Sequence, residues 1–148
     1  MMENIFTDEY FMRRALIEAE AAYDKGEIPV GAVVVVDNRI IARSHNLTEL
    51  LNDVTAHAEM QAITSASGFL GGKYLKGCTL YVTIEPCQMC AGALYWSQIT
   101  KIVFGARDEQ RGFLAMGTSL HPKTVVTQGV MEQEAADLML RFFASRRK

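Results

Sequence analysis

Four side chains in two short stretches have the types and the spacing to do chemistry together. The first stretch is Thr55-Ala56-His57-Ala58-Glu59 and the second is Glu85-Pro86-Cys87-Gln88-Met89-Cys90. Cys87 and Cys90 stand at i and i+3, which on a helix puts both sulfurs on one face. Pro86 suits the first turn of that helix, where its missing N–H costs nothing. A helix N-terminus favours negative charge and lowers a thiol's pKa, so both cysteines are helped toward thiolate. A neutral His57 imidazole completes a set of two sulfurs and one nitrogen, which suits zinc. Three protein ligands leave the fourth position of a tetrahedral ion to water, the mark of a catalytic rather than a structural zinc. The two thiolates also offset the ion's 2+ charge, leaving a hydroxide fit to attack a neutral molecule.

Glu59 discriminates between readings. In the middle of a helix, residues i and i+2 point about 200° apart. His57 and Glu59 can therefore share a site only if this segment is the beginning of a helix with the metal beyond its end. The expectation is an ion lying between two helix N-termini, with Glu59 taking a proton from the attacking water and passing it to the substrate. Taken singly, each residue has a plainer role: Cys-x-x-Cys as a structural zinc knuckle or redox pair, His57 as a core or surface histidine, Glu59 as a solvated helix residue. Against the knuckle stands the want of a fourth Cys or His at ligand spacing after Cys90, since the only later histidine is the distant His121.

The elements that must position these residues follow from the apolar pattern. A helix is predicted from about Asp8 to Lys25, with Met12, Ala15, Leu16, Ala19 and Tyr23 as its buried stripe, Thr7 as N-cap and Gly26 just past its end. The β-branched run 31–36, the turn Asp37-Asn38 and the return 39–44 predict a hairpin, whose first strand does not alternate and so is covered on both faces. A helix from His57 to about Ser67, stopped by Gly68, Gly71 and Gly72, comes next. Strand 79–83, the cysteine-bearing helix, strand 101–105, strand 124–128 and a helix from about Glu132 to Ala144 complete the order. The last helix should bury Met131, Ala135, Leu138 and Phe142. Two paired strands followed by strands alternating with helices predict a mixed sheet with helices on both sides and a site where strands hand over to helices.

The 148 residues, without repeats or a Pro/Gly/Ser-rich linker, are read as one domain spanning 1–148. A hydrophobic fraction of 49% argues against disorder. Three cysteines, an odd number, argue against a disulfide framework. No apolar run is long enough for a membrane span, and the first residues show no signal-peptide pattern, so a cytoplasmic location is expected. Fifteen basic against seventeen acidic residues give a net charge of −2, which weighs against a nucleic-acid binder that uses its whole surface. The C-terminal run from Arg141 through Phe142, Phe143, Ala144, Ser145, Arg146 and Arg147 to Lys148 is a local basic patch interleaved with aromatics.

The joint pattern H-x-E … P-C-x-x-C is the signature shared by zinc-dependent nucleobase deaminases. The likeness extends further, through Ile28-Pro29-Val30-Gly31-Ala32-Val33, Asn46, Thr79 to Ala93, and Val103-Phe104-Gly105-Ala106-Arg107-Asp108. Over nearly its whole length the chain resembles the bacterial tRNA-specific adenosine deaminases (TadA type) of the cytidine deaminase-like superfamily. The resemblance implies a three-layer α/β/α sandwich around a five-stranded mixed sheet. It implies one zinc per chain, a homodimer with each site bordered by the partner chain, and conversion of adenosine to inosine at the wobble position of a tRNA anticodon, typically an arginine tRNA. By the same resemblance Asn46 hydrogen-bonds the flipped base, the backbone N–H of Ala58 meets the substrate and Val30 lines the pocket. Asp108 falls near the nucleotide's sugar, and Phe142, Phe143, Arg146 and Arg147 contact the anticodon loop. Asn46 could instead be a turn residue closing the second strand, Asp108 an exposed loop aspartate, and Phe142 a core residue before a solvated tail. His45 and Cys78 are read as structural. Two loops, 47–53 and 109–114, depart from the family, which bears on the choice of tRNA. The alternative is a deaminase of a free base or nucleoside such as guanine or cytosine.

Overall fold

The computed structural model describes residues 4–146. Its helices are α1 (Asp8–Asp24), α2 (Ala58–Leu70), α3 (Gln88–Ser97), α4 (Phe113–Met116) and α5 (Glu132–Arg146). Its strands are β1 (Gly31–Val36), β2 (Arg39–His45), β3 (Thr79–Ile84), β4 (Lys101–Ala106) and β5 (Val125–Gln128). The strands form one sheet in the order β2-β1-β3-β4-β5. β1 is antiparallel to both β2 and β3, whereas β3, β4 and β5 run parallel.

Alternation along the central strands divides the core into two layers. Ala32, Val34, Leu80, Val82, Ile102 and Phe104 face α2 and α3, packing on Ala58, Ala62, Ala91 and Leu94. Val33, Val35, Tyr81 and Val103 face the other way, against Phe11, Met12 and Ala15 of α1. Ile84 and Ala106 meet Leu16 of α1 and Ala135 of α5 on that same side. The result is the predicted three-layer arrangement, with β1 buried on both faces.

The local chemistry of the elements matches most of the sequence reading. Thr7 caps α1 by accepting the Tyr10 N–H at 3.1 Å. Gly26 follows the C-cap at φ +77°, a conformation that favours glycine. Asp37 and Asn38 both take positive φ, as a two-residue hairpin turn with the matching twist requires. Three expectations shift. Tyr23 is only half-buried, and the stripe of α1 is completed by Phe11 and Ala22. Gly68 does not end α2, which runs to Leu70 and closes on Gly71 at φ +74°. Gly68 faces open space and tolerates helical φ, so nothing there forces a stop. The short helix α4 was not anticipated, because four residues are too few to show a period.

The topology gathers the site at one end of the sheet. The C-terminal ends of parallel strands β3 and β4 lie beside the start of antiparallel β1 and the end of β2. Val30, Asn46, Glu85 to Cys87, and Arg107 with Asp108 therefore all leave the sheet at the same edge.

Candidate active site and metal centre

Two helix N-termini build the centre. His57 is the N-cap of α2 and holds an extended backbone, with φ −71° and ψ 154°. Cys87 is the N-cap of α3, also extended, and Cys90 stands in that helix's first turn. Pro86 thus precedes the cap and is not the first helical residue. Its ring still costs no hydrogen bond there, and its carbonyl accepts the Phe113 N–H at 2.9 Å. Ser44 Oγ donates to the Ala58 carbonyl at 2.6 Å, and Gln61 Nε2 donates to the His45 carbonyl at 2.7 Å. These bonds hold the start of α2 against the end of β2.

The ligand set fits zinc. The Nδ1 atom of His57 lies 3.6 Å from Cys87 Sγ and 3.6 Å from Cys90 Sγ. Bonds of about 2.3 Å to sulfur and 2.0–2.1 Å to nitrogen at a tetrahedral angle put such a nitrogen and sulfur about 3.6 Å apart. Among the described residues, His57, Cys87 and Cys90 form the one cluster of His, Cys, Asp or Glu close enough to share an ion. Among the described residues no fourth His, Cys, Asp or Glu joins this set, so a bound ion would keep a position for water.

The electrostatics agree with that use. Hydrogen bonding from Cys90 and then from His57 brings the Cys87 thiol down to about 4, against the cost of its burial. Cys90 is pushed far up, first by its bond to Cys87 and then by burial. The two sulfurs thus pull each other's pKa in opposite directions, and a divalent cation between them would favour the thiolate form of both. The bond with Cys87 also raises His57, with burial opposing.

Glu59 is the second residue of α2 and is only 4% exposed. Burial pushes its carboxyl up to about 7, although its own backbone N–H, His57 and Cys90 pull the other way. At the start of the helix it turns inward beside His57 instead of away from it, as the i/i+2 argument requires.

A cleft of about 720 Å³ opens over these groups. Val30, Asn46, Ala58, Glu59, Asp108 and Phe143 all line it. Asn46 is buried, and its Oδ1 receives the Thr48 N–H at a long 3.4 Å, so both the turn role and a cleft position hold. Ala58, in the first turn of α2, has an N–H with no intrahelical acceptor. Asp108 borders the cleft, but its Oδ1 accepts from the backbone N–H groups of Gln110 and Arg111 at 3.1 and 2.9 Å. Its carboxylate is therefore already engaged in a turn. Phe142 packs in the core against Tyr23. Arg146 does not face the cleft: it donates to the Gly26 carbonyl at 3.1 Å and stacks on Phe142. This guanidinium thus ties α5 to the end of α1, while Phe143 reaches the cleft. Arg147 lies outside the described residues. His45 bonds Glu18 and Lys25, and Cys78 is buried in the core, as their structural reading expects.

The sequence reading missed two buried carboxylates, Glu85, which lines the cleft, and Glu27, which does not. Glu27 accepts from the backbone N–H groups of Glu49 and Leu50 at 3.0 and 2.7 Å. Glu85 accepts from those of Asp108 and Leu114, both at 3.0 Å. Glu85 carried a signal, an acid directly after the apolar end of β3, where burial demands partners. Glu27, two residues after Lys25, carried none.

The comparisons with known proteins bear on the same residues. The pattern of the cytidine and deoxycytidylate deaminase zinc-binding region matches residues 6–106. A tRNA-specific adenosine deaminase of Bacillus subtilis (strain 168) is 44% identical over 147 residues, covering 95% of this chain and 91% of that protein. The chain belongs to this deaminase family. A solved structure from work on A-to-I editing by tRNA:A34 deaminases matches the present deaminase with a TM-score of 0.82 at 43% identity, over 87% of this chain and 98% of its own. A guanine deaminase from Nitrosomonas europaea shares the fold at a TM-score of 0.79 but only 26% identity, over 93% and 85% of the two chains. The deaminase is thus a hydrolase with a zinc centre of His57, Cys87 and Cys90.

Proposed function

We propose that this deaminase converts adenosine to inosine at the wobble position of a tRNA anticodon, with an arginine tRNA as its partner. One observation carries the chemistry: a buried carboxyl, Glu59, held up to about 7, sits beside a three-ligand zinc site at the floor of an open cleft. Curated relatives 43–44% identical over nearly the whole chain are tRNA-specific adenosine deaminases, whereas the guanine deaminase from Nitrosomonas europaea is only 26% identical, and this favours tRNA over a free base.

His57, Cys87 and Cys90 would hold the zinc ion, which would lower the pKa of a water for addition to C6. Glu59 takes one proton from the attacking water and gives it to the purine ring nitrogen, then takes the proton of the new C6 hydroxyl and gives it to the departing amine, so that water and adenosine become inosine and ammonia. A pKa near 7 suits a group that must both take and give a proton near neutral pH. Asn46 and the Ala58 N–H orient the base from one side of the cleft, and Val30 packs on its face. Phe143 offers an aromatic surface to a neighbouring nucleotide of the loop. A base in a single-stranded loop is extruded at low cost, so a chain with a net charge of −2 can bind through a few contacts. Arg146 serves mainly to fix α5, and an RNA contact is assigned to Arg147 on the family resemblance alone.

The deaminase acts as a homodimer. Val54 is 84% and Trp96 is 76% exposed, both apolar and near the two helix N-termini or on α3. A groove of about 310 Å³ lined by Val54, Met89 and Met116 reaches His57 and Cys87, where a second copy would close the site from outside. No described helix is long and apolar enough to cross a membrane. A cytoplasmic location is consistent with a tRNA substrate.

The test is direct. Zinc-loaded protein is incubated with an unmodified arginine tRNA whose anticodon begins with A, and with guanine, cytosine, adenosine and cytidine in parallel. Inosine at the wobble position with little turnover of the small molecules is expected. Turnover of a free base with no inosine in the tRNA overturns the substrate reading and leaves the deaminase chemistry standing.

A further inference from the structure

The loop after β4, residues 107–114, forms one wall of the cleft and carries Asp108 to Arg111 along its rim. Its backbone is tied to Glu85, Pro86 and Cys87, and the Phe113 ring anchors its end in the core against Phe104. Glu85 is 3% exposed, and its two oxygens accept the N–H groups at either end of the loop, Asp108 on Oε1 and Leu114 on Oε2. The Arg107 guanidinium approaches Oε1 at 3.5 Å. The Pro86 carbonyl takes the Phe113 N–H, and Cys87 forms an isolated antiparallel bridge with Gly112. Gly112 is as much a part of this arrangement as Glu85. A Cβ on it would run into the Glu85 carboxyl group and the Asp108 carbonyl.

We propose that Glu85 is a positioning residue that locks loop 107–114 to the zinc ligand Cys87, so that the substrate-facing rim is held in register with the metal. A carboxylate suits the task for a reason of inventory: it accepts at both oxygens and donates at neither. Asp108 and Leu114 both present donors, so a glutamine in its place has one acceptor too few and one donor opposed to a donor. The short path from Glu85 to Cys87 makes any displacement of the loop a displacement next to the metal ligand. The statement that the loop faces substrate rests on the function proposed above, whereas the lock itself does not.

Two readouts on the zinc-loaded full chain test this. Hydrogen exchange on Glu85→Gln should show the amides of Asp108 and Leu114 exchanging at least about ten times faster, with the amides of α1 and β1 as protected as before. Steady-state kinetics on the tRNA should show KM raised about tenfold and kcat changed less than about threefold, with zinc content retained. Gly112→Ala approaches the same lock from the other side with the Glu85 charge in place, and should give the same local pattern. Glu85→Asp, which keeps two acceptors on a shorter arm, should recover part of the protection.

Unchanged exchange at Asp108 and Leu114 in both variants overturns the lock. So does faster exchange spread evenly over the chain with KM unaltered, since that marks Glu85 as a general stabiliser. If the unsubstituted enzyme leaves the tRNA unedited, the functional reading fails, and the exchange arm still decides the lock.

Discussion

The N-termini of α2 and α3 face one metal site with the same backbone device and opposite content. Each is opened by an extended N-cap residue that is itself a ligand, His57 in one and Cys87 in the other. In the first turn α2 then offers a carboxyl, Glu59, and α3 a second sulfur, Cys90. Their supports differ as well. The start of α2 is held by side chains bridging it to β2, Ser44 of β2 donating to the Ala58 carbonyl and Gln61 of α2 donating to the His45 carbonyl. The start of α3 is held through backbone groups of the loop 107–114, with Phe113 on Pro86 and Gly112 beside Cys87. Metal charge is thus concentrated on the helix tied to the substrate loop, and proton transfer on the helix tied to the sheet. The division teaches that binding the ion and moving the proton can be removed separately.

Breaking the α3 side should have the largest effect. Cys90→Ala leaves only one sulfur and one nitrogen for the ion, and it removes a side chain that is fully buried. Zinc content after gel filtration is expected below about a tenth of that of the unsubstituted chain, with activity lost and thermal stability lowered, because metal binding and folding are coupled. A variant that kept its zinc and its activity would refute the ligand set. On the α2 side, Glu59→Gln keeps the shape and removes the proton carrier. The expected result is a fall in kcat of about 10²–10⁴-fold with zinc and fold intact. Equal loss of zinc in both variants would erase the contrast between the two helices.

How much of this was legible in the sequence follows the same line. The ligands and Glu59 could be read because a tetrahedral ion and a helix N-terminus impose fixed spacings within a few residues. The strands were legible because β1, β3 and β4 are β-branched runs, and Thr7, Gly26 and the Asp37-Asn38 turn carry local signals. Pro86 was misplaced by two residues, as helix ends often are, because the extended cap is Cys87 and the helix begins at Gln88. Asp108 and Arg146 were assigned outward roles that their own hydrogen bonds now share or replace. Glu27 and Glu85 passed unnoticed since their partners are backbone amides more than twenty residues away. A backbone N–H has no residue type, so no sequence pattern marks it as awaiting a carboxylate.

Protonation gives a smaller and sharper contrast. The Glu59 carboxyl is raised from 4.5 to about 7 in the folded chain, first by burial. Between those values the folded chain keeps a proton that the unfolded chain has released. The stability linked to this group is therefore full below pH 4.5 and is lost as pH rises through 7. In chelator-treated protein the loss should reach about 3 kcal/mol relative to Glu59→Gln, whose profile lacks this component. Urea unfolding at pH 5 and pH 8 measures it. A wild-type and variant pair whose stabilities run parallel across that range would mean that Glu59 is not buried as a carboxyl in the way described.

The smallest expected effect concerns what aims Glu59. Ser44 is buried, and its hydroxyl donates to the Ala58 carbonyl at 2.6 Å, one residue before Glu59. Ser44→Ala removes the donor, but the Ala58 carbonyl can keep its acceptor role within the first turn of α2, so no buried group is left wholly unpaired. The net cost should be about 1 kcal/mol, the ordinary worth of one hydrogen bond, which lowers Tm by about 2–4 °C for a chain of this size. Zinc content should not change, since no ligand on α3 is touched. If the bond also fixes the direction of α2, kcat should fall severalfold more than KM rises, because a small misplacement of the proton carrier is felt in the transition state before it is felt in binding. Ser44→Thr, which restores the hydroxyl, should recover kcat wherever its extra methyl is accommodated. A loss of Tm without any loss of kcat would assign this contact to stability alone and leave the aim of Glu59 to Gln61 and to the packing of Ala58 and Ala62 beneath it.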